Sequence, residues 1–111
     1  MVIYVDIDET ICESPEDRNY SLAIPVKENI EKVNALYDAG HTIVYWTARG
    51  TGSGTDWREV TEDQFTFWGV KHHELRFGKP VYDIFIDDKN FNADNFFQAS
   101  AEQLIEALEE E

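Results

Sequence analysis

The chain has 111 residues, of which 23 are acidic and 9 are basic, and its formal net charge is −14. This length predicts one domain over residues 1–111, large enough to form a core without cross-links. The negative charge argues against a nucleic-acid partner, and no apolar run approaches the roughly 20 residues of a membrane span. A single cysteine, Cys12, excludes an internal disulfide, and we expect a cytoplasmic protein in which Cys12 is a packing residue.

The first 40 residues predict a strand, a loop and a helix. Residues 2–7 (VIYVDI) are rich in β-branched side chains and predict a buried strand. Residues 12–24 lack periodicity and predict a loop or flap. Apolar positions three and four residues apart then predict a helix that begins at Pro25 and ends before Gly40.

The middle of the chain repeats this alternation. Residues 41–48 (HTIVYWTA) predict a second strand, and a glycine-rich loop follows over 49–55. A second helix is expected from Thr55 or Asp56 to about Trp68, with Gly69 directly after it.

The last third contains a third predicted strand over residues 81–88 (VYDIFIDD) and a final helix. That helix begins at Ser100, and Gln103 stands at the spacing of a capping box. Residues 70–78 are compatible with a short strand. This order of elements predicts an α/β, Rossmann-like fold, in which a parallel sheet has helices on both faces.

Polar residues follow each of the three predicted strands. Because parallel strands bind ligands at their carboxyl ends, these residues are expected at one edge of the sheet. Clusters of carboxylates suit a hard cation, with Mg²⁺ the usual choice, and such an ion would offset the repulsion between neighbouring acids. The residues are Asp6 and Asp8, then Thr47 and Arg49, then Asp87 and Asp88.

Four short motifs resemble, in the same order, those of the haloacid dehalogenase (HAD) superfamily. The match spans residues 2–91, and it implies an HAD-like fold and a Mg²⁺-dependent phosphatase. The motifs are DxDxT at Asp6, Asp8 and Thr10; Thr47 in IVYWTAR; Lys79 in FGKPVYD; and Asp87 and Asp88 in IFIDDKNF.

The resemblance implies catalytic roles for four residues. Asp6 would be the nucleophile that forms an aspartyl-phosphate, and Asp8 would protonate the leaving group and then activate water. Thr47 and Lys79 would hold the phosphoryl oxygens, and Lys79 would also keep Asp6 ionised.

The resemblance also implies substrate and metal contacts. Ala48 and Arg49, which directly follow Thr47 in the sequence, are further candidates for binding substrate together with Thr47 and Lys79. Mg²⁺ would be bound by Asp6, the backbone carbonyl of Asp8 and Asp87, and Asp88 would bind it through water or orient the other ligands.

The intervals between the motifs leave no room for a cap domain. A predicted helix occupies much of the interval from Thr10 to Thr47, and another lies between Thr47 and Lys79. A capless site would accept a bulky substrate or use walls from a second subunit, so a homo-oligomer is one expectation. The pattern is similar to small bacterial phosphatases associated with capsule and surface-polysaccharide biosynthesis. That similarity implies a small phosphorylated metabolite as substrate: a sugar, polyol or sugar-acid phosphate.

Other functions stay open at this point. An open site also suits a nucleotide or polynucleotide end-phosphatase, although the net charge disfavours a polymer. A non-catalytic binding module on this fold would have damaged motifs, whereas a receiver domain would carry its acidic pair first and its acceptor Asp later. The sequence leaves undecided the leaving group, the pathway and the role of Glu9, which stands where many HAD members carry a small residue.

Overall fold

The computed structural model describes residues 1–109. None of the helices in this range has the length and apolar character needed to cross a membrane. The strands are β1 (Val2–Val5), β2 (Cys12–Glu13), β3 (Ile24–Pro25), β4 (Thr42–Trp46) and β5 (Glu74–Arg76). The helices are α1 (Lys27–Asp38), α2 (Arg58–Trp68), α3 (Ala93–Phe96) and α4 (Ala101–Glu109), and a 3₁₀ turn spans Tyr20–Leu22.

Three strands form a parallel sheet in the order β1-β4-β5. Ile3 is paired with Ile43, and Tyr45 with Leu75. The β1–β4 connection contains α1 and the β4–β5 connection contains α2, as parallel pairing requires. Because the strands run the same way, the residues that follow β1 and β4 meet at one edge. β5 lies within the region where a short strand was expected.

One hydrophobic cluster joins the sheet to the helices. Ile43 and Tyr45 of β4 are fully buried in it, and they point to the same face because side chains alternate along a strand. We expected helices on both faces, but all four described helices pack against this cluster. Their contributions are Ile30, Val33 and Leu36 from α1, Phe65 from α2, Phe96 from α3 and Leu104 from α4.

The predicted ends of the helices are largely confirmed. Gly40 and Gly69 follow α1 and α2 with φ values of 101° and 71°, in the left-handed region that glycine tolerates. Ser100 and Gln103 form the reciprocal capping box at the start of α4. The Gln103 amide donates to Ser100 Oγ at 3.2 Å, and the Ser100 amide donates to Gln103 Oε1 at 2.9 Å.

Two helices begin later than predicted. Pro25 is paired with Cys12 in the β2–β3 hairpin, so α1 begins at Lys27. This antiparallel hairpin encloses the predicted flap. α2 begins at Arg58, whose amide donates to the Asp56 side chain at 3.0 Å. Asp56 therefore lies just before α2, where a polar residue is expected to accept a hydrogen bond from the first turn.

The strand predicted over residues 81–88 does not form. Val81, Ile84 and Ile86 are 71%, 78% and 93% exposed. Their side chains suit a pleated surface, but a strand exists only where a neighbour supplies backbone partners. Within residues 1–109, β1 has one strand neighbour, β4, and its other edge carries none.

Tyr45 provides a stability prediction. The Tyr45 ring packs on the Phe65 ring with 4.9 Å between the ring centroids. Burial raises the pKa of Tyr45. The Tyr45 hydroxyl has no hydrogen-bond partner in the described part of the chain. An unpaired buried hydroxyl costs roughly 1–3 kcal/mol, so Tyr45→Phe should raise the free energy of unfolding by about 1 kcal/mol. Urea denaturation followed by circular dichroism measures this change. Tyr45→Leu, which also loses the ring contact, should lower the free energy of unfolding. A clear loss in Tyr45→Phe would show that the hydroxyl is bonded.

Candidate active site

A tight turn follows β1 and presents the first acidic motif. Ile7 and Ile11 are fully buried, and the Ile11 amide donates to the Ile7 carbonyl at 2.9 Å. Asn29 of α1 donates from Nδ2 to the Thr10 carbonyl at 2.8 Å. The turn is therefore anchored both in the core and on a helix, which limits the movement of its two aspartates.

Glu9 occupies a strained position in this turn. Its φ of 61° lies in the left-handed region, where a residue with a Cβ costs about 1–2 kcal/mol relative to the right-handed region. Its carboxylate lies 4.0 Å from the guanidinium of Arg18, which also has a positive φ of 60°. Both side chains are more than half exposed, so their ion pair adds little stability.

Asp6 is paired with Lys79. Lys79 Nζ lies 3.5 Å from Asp6 Oδ2, and Asp6 Oδ1 accepts a hydrogen bond from the Ile7 amide at 2.8 Å. The Lys79 ammonium also lies 5.9 Å and 5.4 Å from the ring centroids of Trp46 and Tyr82. Burial raises the pKa of Asp6, and the charge of Lys79 opposes that shift without cancelling it. A partly desolvated carboxylate beside a cation is a suitable nucleophile for a phosphoryl group.

Thr47 connects the end of β4 to two neighbouring segments. It is fully buried, and its amide donates to the Arg76 carbonyl at 2.9 Å. Its carbonyl accepts from the Lys79 amide at 3.0 Å, which holds Lys79 against this end of the sheet. The structure thus brings Asp6, Thr47 and Lys79, three of the predicted residues, to the same edge.

The glycine-rich loop continues from Ala48. The Ala48 carbonyl accepts from the Thr51 amide at 3.0 Å, and Thr51 Oγ1 donates to the Lys79 carbonyl at 2.9 Å. Gly50 has a φ of 81°, and a Cβ on it would lie 2.0 Å from the carbonyl oxygen of Thr55. Only glycine fits there without a shift of the Thr55 backbone, and the loop reaches Lys79 through the Thr51 hydrogen bond.

Arg49 holds the carboxylate of Asp8. Arg49 Nε lies 3.0 Å from Asp8 Oδ2, and Arg49 Nη2 lies 2.9 Å from Asp8 Oδ1. The Ser14 hydroxyl and the Cys12 thiol also donate to Asp8 Oδ1. Burial raises the pKa of Cys12 to about 12, which fits its expected packing role. We expected Arg49 at the substrate, but its guanidinium is buried and turned toward Asp8.

Sequence reasoning missed the residues of α2 that complete the surroundings of Arg49. Arg49 Nη1 donates to Thr61 Oγ1 at 3.0 Å and to Gln64 Oε1 at 2.7 Å. Gln64 stands at helical spacing from Val60 and Trp68, on a face that this apolar spacing predicts to point inward. A polar side chain on such a face was the available signal, because buried polar groups are nearly always paired.

The predicted metal ligands are not assembled. Asp87 and Asp88 lie in the exposed segment 81–88, and a hydrogen bond from the Lys89 amide lowers the pKa of Asp87. Among residues 1–109, no three side chains of His, Cys, Asp or Glu lie close enough to hold a metal ion. The described residues therefore do not form the expected Mg²⁺ site.

Asp6 provides a pH-dependent prediction. Its pKa in the folded protein lies above the ordinary 3.8, so the ionised carboxylate destabilises the fold. This penalty is absent below pH 3.8, where the group is protonated in both states, and it develops as the pH rises through the folded-state pKa. Asp6→Asn should therefore stabilise the protein more at pH 7 than near pH 4, as measured by urea unfolding.

The control for this comparison is Asp63→Asn, which changes an exposed carboxylate on α2 and should show no such difference. A loss of stability in Asp6→Asn at pH 7 would show instead that attraction to Lys79 outweighs the burial of the Asp6 carboxylate.

Comparison with known proteins identifies the fold. No family model matches the chain, and no curated protein matches it. A structural-genomics target from Vibrio cholerae superposes with a TM-score of 0.78 over 96% of this chain and 98% of that chain, at 22% sequence identity. The chain therefore shares the fold of that protein, a small α/β fold built on a parallel sheet.

Proposed function

We propose that this chain is a phosphomonoester hydrolase of the HAD superfamily, a capless α/β core that acts through an aspartyl-phosphate. The observation that carries the proposal is the meeting of Asp6, Thr47 and Lys79 at the carboxyl edge of one sheet, with Lys79 3.5 Å from Asp6. The order of the four sequence motifs supports the same activity. A carboxylate nucleophile, a fixed cation and a neighbouring second aspartate are the groups that such a reaction needs.

The reaction has two steps. A carboxylate oxygen of Asp6 attacks phosphorus, the bond from phosphorus to the ester oxygen breaks, and its electron pair stays on the departing oxygen. That oxygen takes a proton from Asp8. Water then attacks the phosphorus of the aspartyl-phosphate and gives a proton to Asp8, while the bond from phosphorus to the Asp6 oxygen breaks and its electron pair stays on Asp6. Inorganic phosphate is released and Asp6 is restored. Lys79 offsets the negative charge on the transferring group in both steps.

A polar cleft beside the segment that precedes Lys79 is the candidate site for the leaving group, although Asp6, Thr47 and Lys79 do not themselves line it. An open cleft of about 390 Å³ lies between the glycine-rich loop and residues 77–78. Hydroxyl and charged groups line it next to two aromatic rings, a combination that suits a sugar or polyol phosphate from carbohydrate biosynthesis. The lining includes Thr51, Thr55, Asp56, Arg58, Trp57 and Phe77.

Mg²⁺ is part of this proposal because the four motif aspartates are the oxygen donors that such an ion prefers. A bound ion would supply positive charge at the phosphoryl oxygens. The Asp8 carboxylate is bound by Arg49, so Asp8 would contribute its backbone carbonyl, and Asp87 could join Asp6 only if residues 81–88 lay along the outer edge of β1. No step of the reaction above is therefore assigned to the ion.

The metal is tested without measuring activity. Mg²⁺ at millimolar concentration should slow hydrogen exchange of the amides in residues 81–88, because a ligand role for Asp87 requires that segment to become ordered beside β1. Asp87→Asn should abolish the slowing, whereas Asp83→Asn in the same segment should not. Exchange that is equally fast with and without Mg²⁺ would eliminate Asp87 as a ligand.

Phosphate release tests the activity itself. Sugar phosphates, polyol phosphates, nucleotides, a 5′-phosphorylated oligonucleotide and an aryl phosphate should be compared with Mg²⁺ and with EDTA. We expect turnover of a sugar or polyol phosphate that EDTA suppresses and Asp6→Asn abolishes, with Asp63→Asn as the matched control. Preference for the oligonucleotide would point to an end-phosphatase. A folded protein that releases no phosphate from any of these esters would instead be a binding module.

A further inference from the structure

We propose that Arg49 is a positioning residue that holds Asp8 in place for proton transfer and connects it to the flap, residues 12–24. The inference rests on the proposed phosphatase function, in which Asp8 is the proton donor and acceptor. It assigns Arg49 a role away from the substrate, in contrast to the role expected from its sequence position.

Every N–H group of the Arg49 guanidinium has a partner within the protein. An arginine side chain has five such groups, and here two sets of acceptors use all of them. Asp8 takes one from Nε and one from Nη2, and the remaining Nη2 group points at Cys12 Sγ, 3.8 Å away. Thr61 and Gln64 take the two from Nη1. A phosphate could bind this guanidinium only by displacing buried partners.

The shape of the guanidinium explains why arginine is needed here. Two parallel N–H groups meet both oxygens of Asp8, which fixes the plane of that carboxylate as well as its position. The opposite side of the same planar group is held by α2. Since Arg49 is 2% exposed, it cannot move without disturbing these contacts. A lysine would keep the charge but would lose the paired geometry.

The same group is connected to the flap. Gln64 accepts from Arg49 through Oε1 and donates from Nε2 to the Tyr20 carbonyl at 2.6 Å. The Tyr20 ring covers the guanidinium, with its centroid 4.8 Å from the guanidinium carbon, and it makes an edge-to-face contact with Trp57 in which the ring centroids are 5.1 Å apart. Opening of the flap would remove the contacts from Tyr20, and Arg49 would then hold Asp8 less firmly.

Leaving-group dependence tests the positioning role. Phenyl phosphate and p-nitrophenyl phosphate differ in one substituent, and the better leaving group needs less help from a proton donor. In Arg49→Lys, kcat/KM for phenyl phosphate should fall about 100-fold, within the range that a displaced catalytic group costs, and kcat/KM for p-nitrophenyl phosphate should fall less than about 10-fold. Arg76→Lys, an exposed arginine outside this network, is the control.

Trypsin tests the connection to the flap without any substrate. Arg18 lies in the flap, and cleavage after it follows the population of open flap when opening is fast. Gln64→Leu should increase that cleavage about tenfold, the factor that one hydrogen bond supplies at the upper end of its range. Cleavage after Lys89, outside the flap, is the internal reference, and Gln98→Leu, an exposed glutamine, is the control.

The outcomes separate the two proposals. If the wild-type protein releases phosphate from none of the esters, including the sugar and polyol phosphates, the phosphatase function fails, the proton-transfer role of Arg49 fails with it, and trypsin alone decides the connection to the flap. If the wild type hydrolyses sugar phosphates but neither aryl ester, the proton-transfer role fails when Arg49→Lys leaves kcat/KM for the sugar phosphate unchanged. If the wild type is active and Arg49→Lys loses both esters equally, Arg49 has only a structural role. If Arg49→Lys does not fold, Gln64→Leu must show the selective loss on phenyl phosphate. An unchanged cleavage rate after Arg18 in Gln64→Leu overturns the connection to the flap.

Discussion

The parallel pairing of β1 with β4 is the constraint on which the rest of the site depends. Register pairs such as Val5 with Tyr45 place the ends of both strands at the same edge. The turn that contains Asp6 and the residue Thr47 then become neighbours, although about 40 residues separate them along the chain. Lys79 reaches this edge because its amide is bonded to the Thr47 carbonyl. Each of these placements follows from the direction of the strands.

Charge is organised locally within an acidic protein. The net charge of −14 is spread over the surface, where salt screens it beyond about 8 Å at physiological ionic strength. At the site, two basic groups lie within 3.5 Å of two carboxylates. The Asp8–Arg49 pair is more buried than the Asp6–Lys79 pair. A buried pair is retained at a desolvation cost, and here it fixes one geometry for Asp8.

The first acidic motif lies at the candidate site and the second does not, because the two motifs depend on different parts of the sheet. Asp6 follows β1, which pairs with β4 over four residues. Asp87 follows a segment whose apolar side chains are as strand-like as those of β1, yet that segment has no backbone partner in the described chain. A site made of both needs the sheet to extend past β1. The exposed Ile84 and Ile86 are the surface that such an extension would bury.

Local features of the fold were accessible from the sequence. Glycines at 40 and 69, the Ser100–Gln103 cap and the strands around Ile3 and Ile43 depend on residues close together in the chain, so their patterns can be interpreted without knowledge of the fold. The motifs that contain Asp6, Thr47 and Lys79 could also be found from the sequence alone, because each motif is a short run of neighbouring residues. Only the tertiary structure decided that Arg49 binds Asp8, that Gln64 connects this pair to the flap, and that residues 81–88 lie outside the sheet. Each of these outcomes depends on which distant group lies within hydrogen-bonding distance, and a linear pattern of residue types contains no such distances.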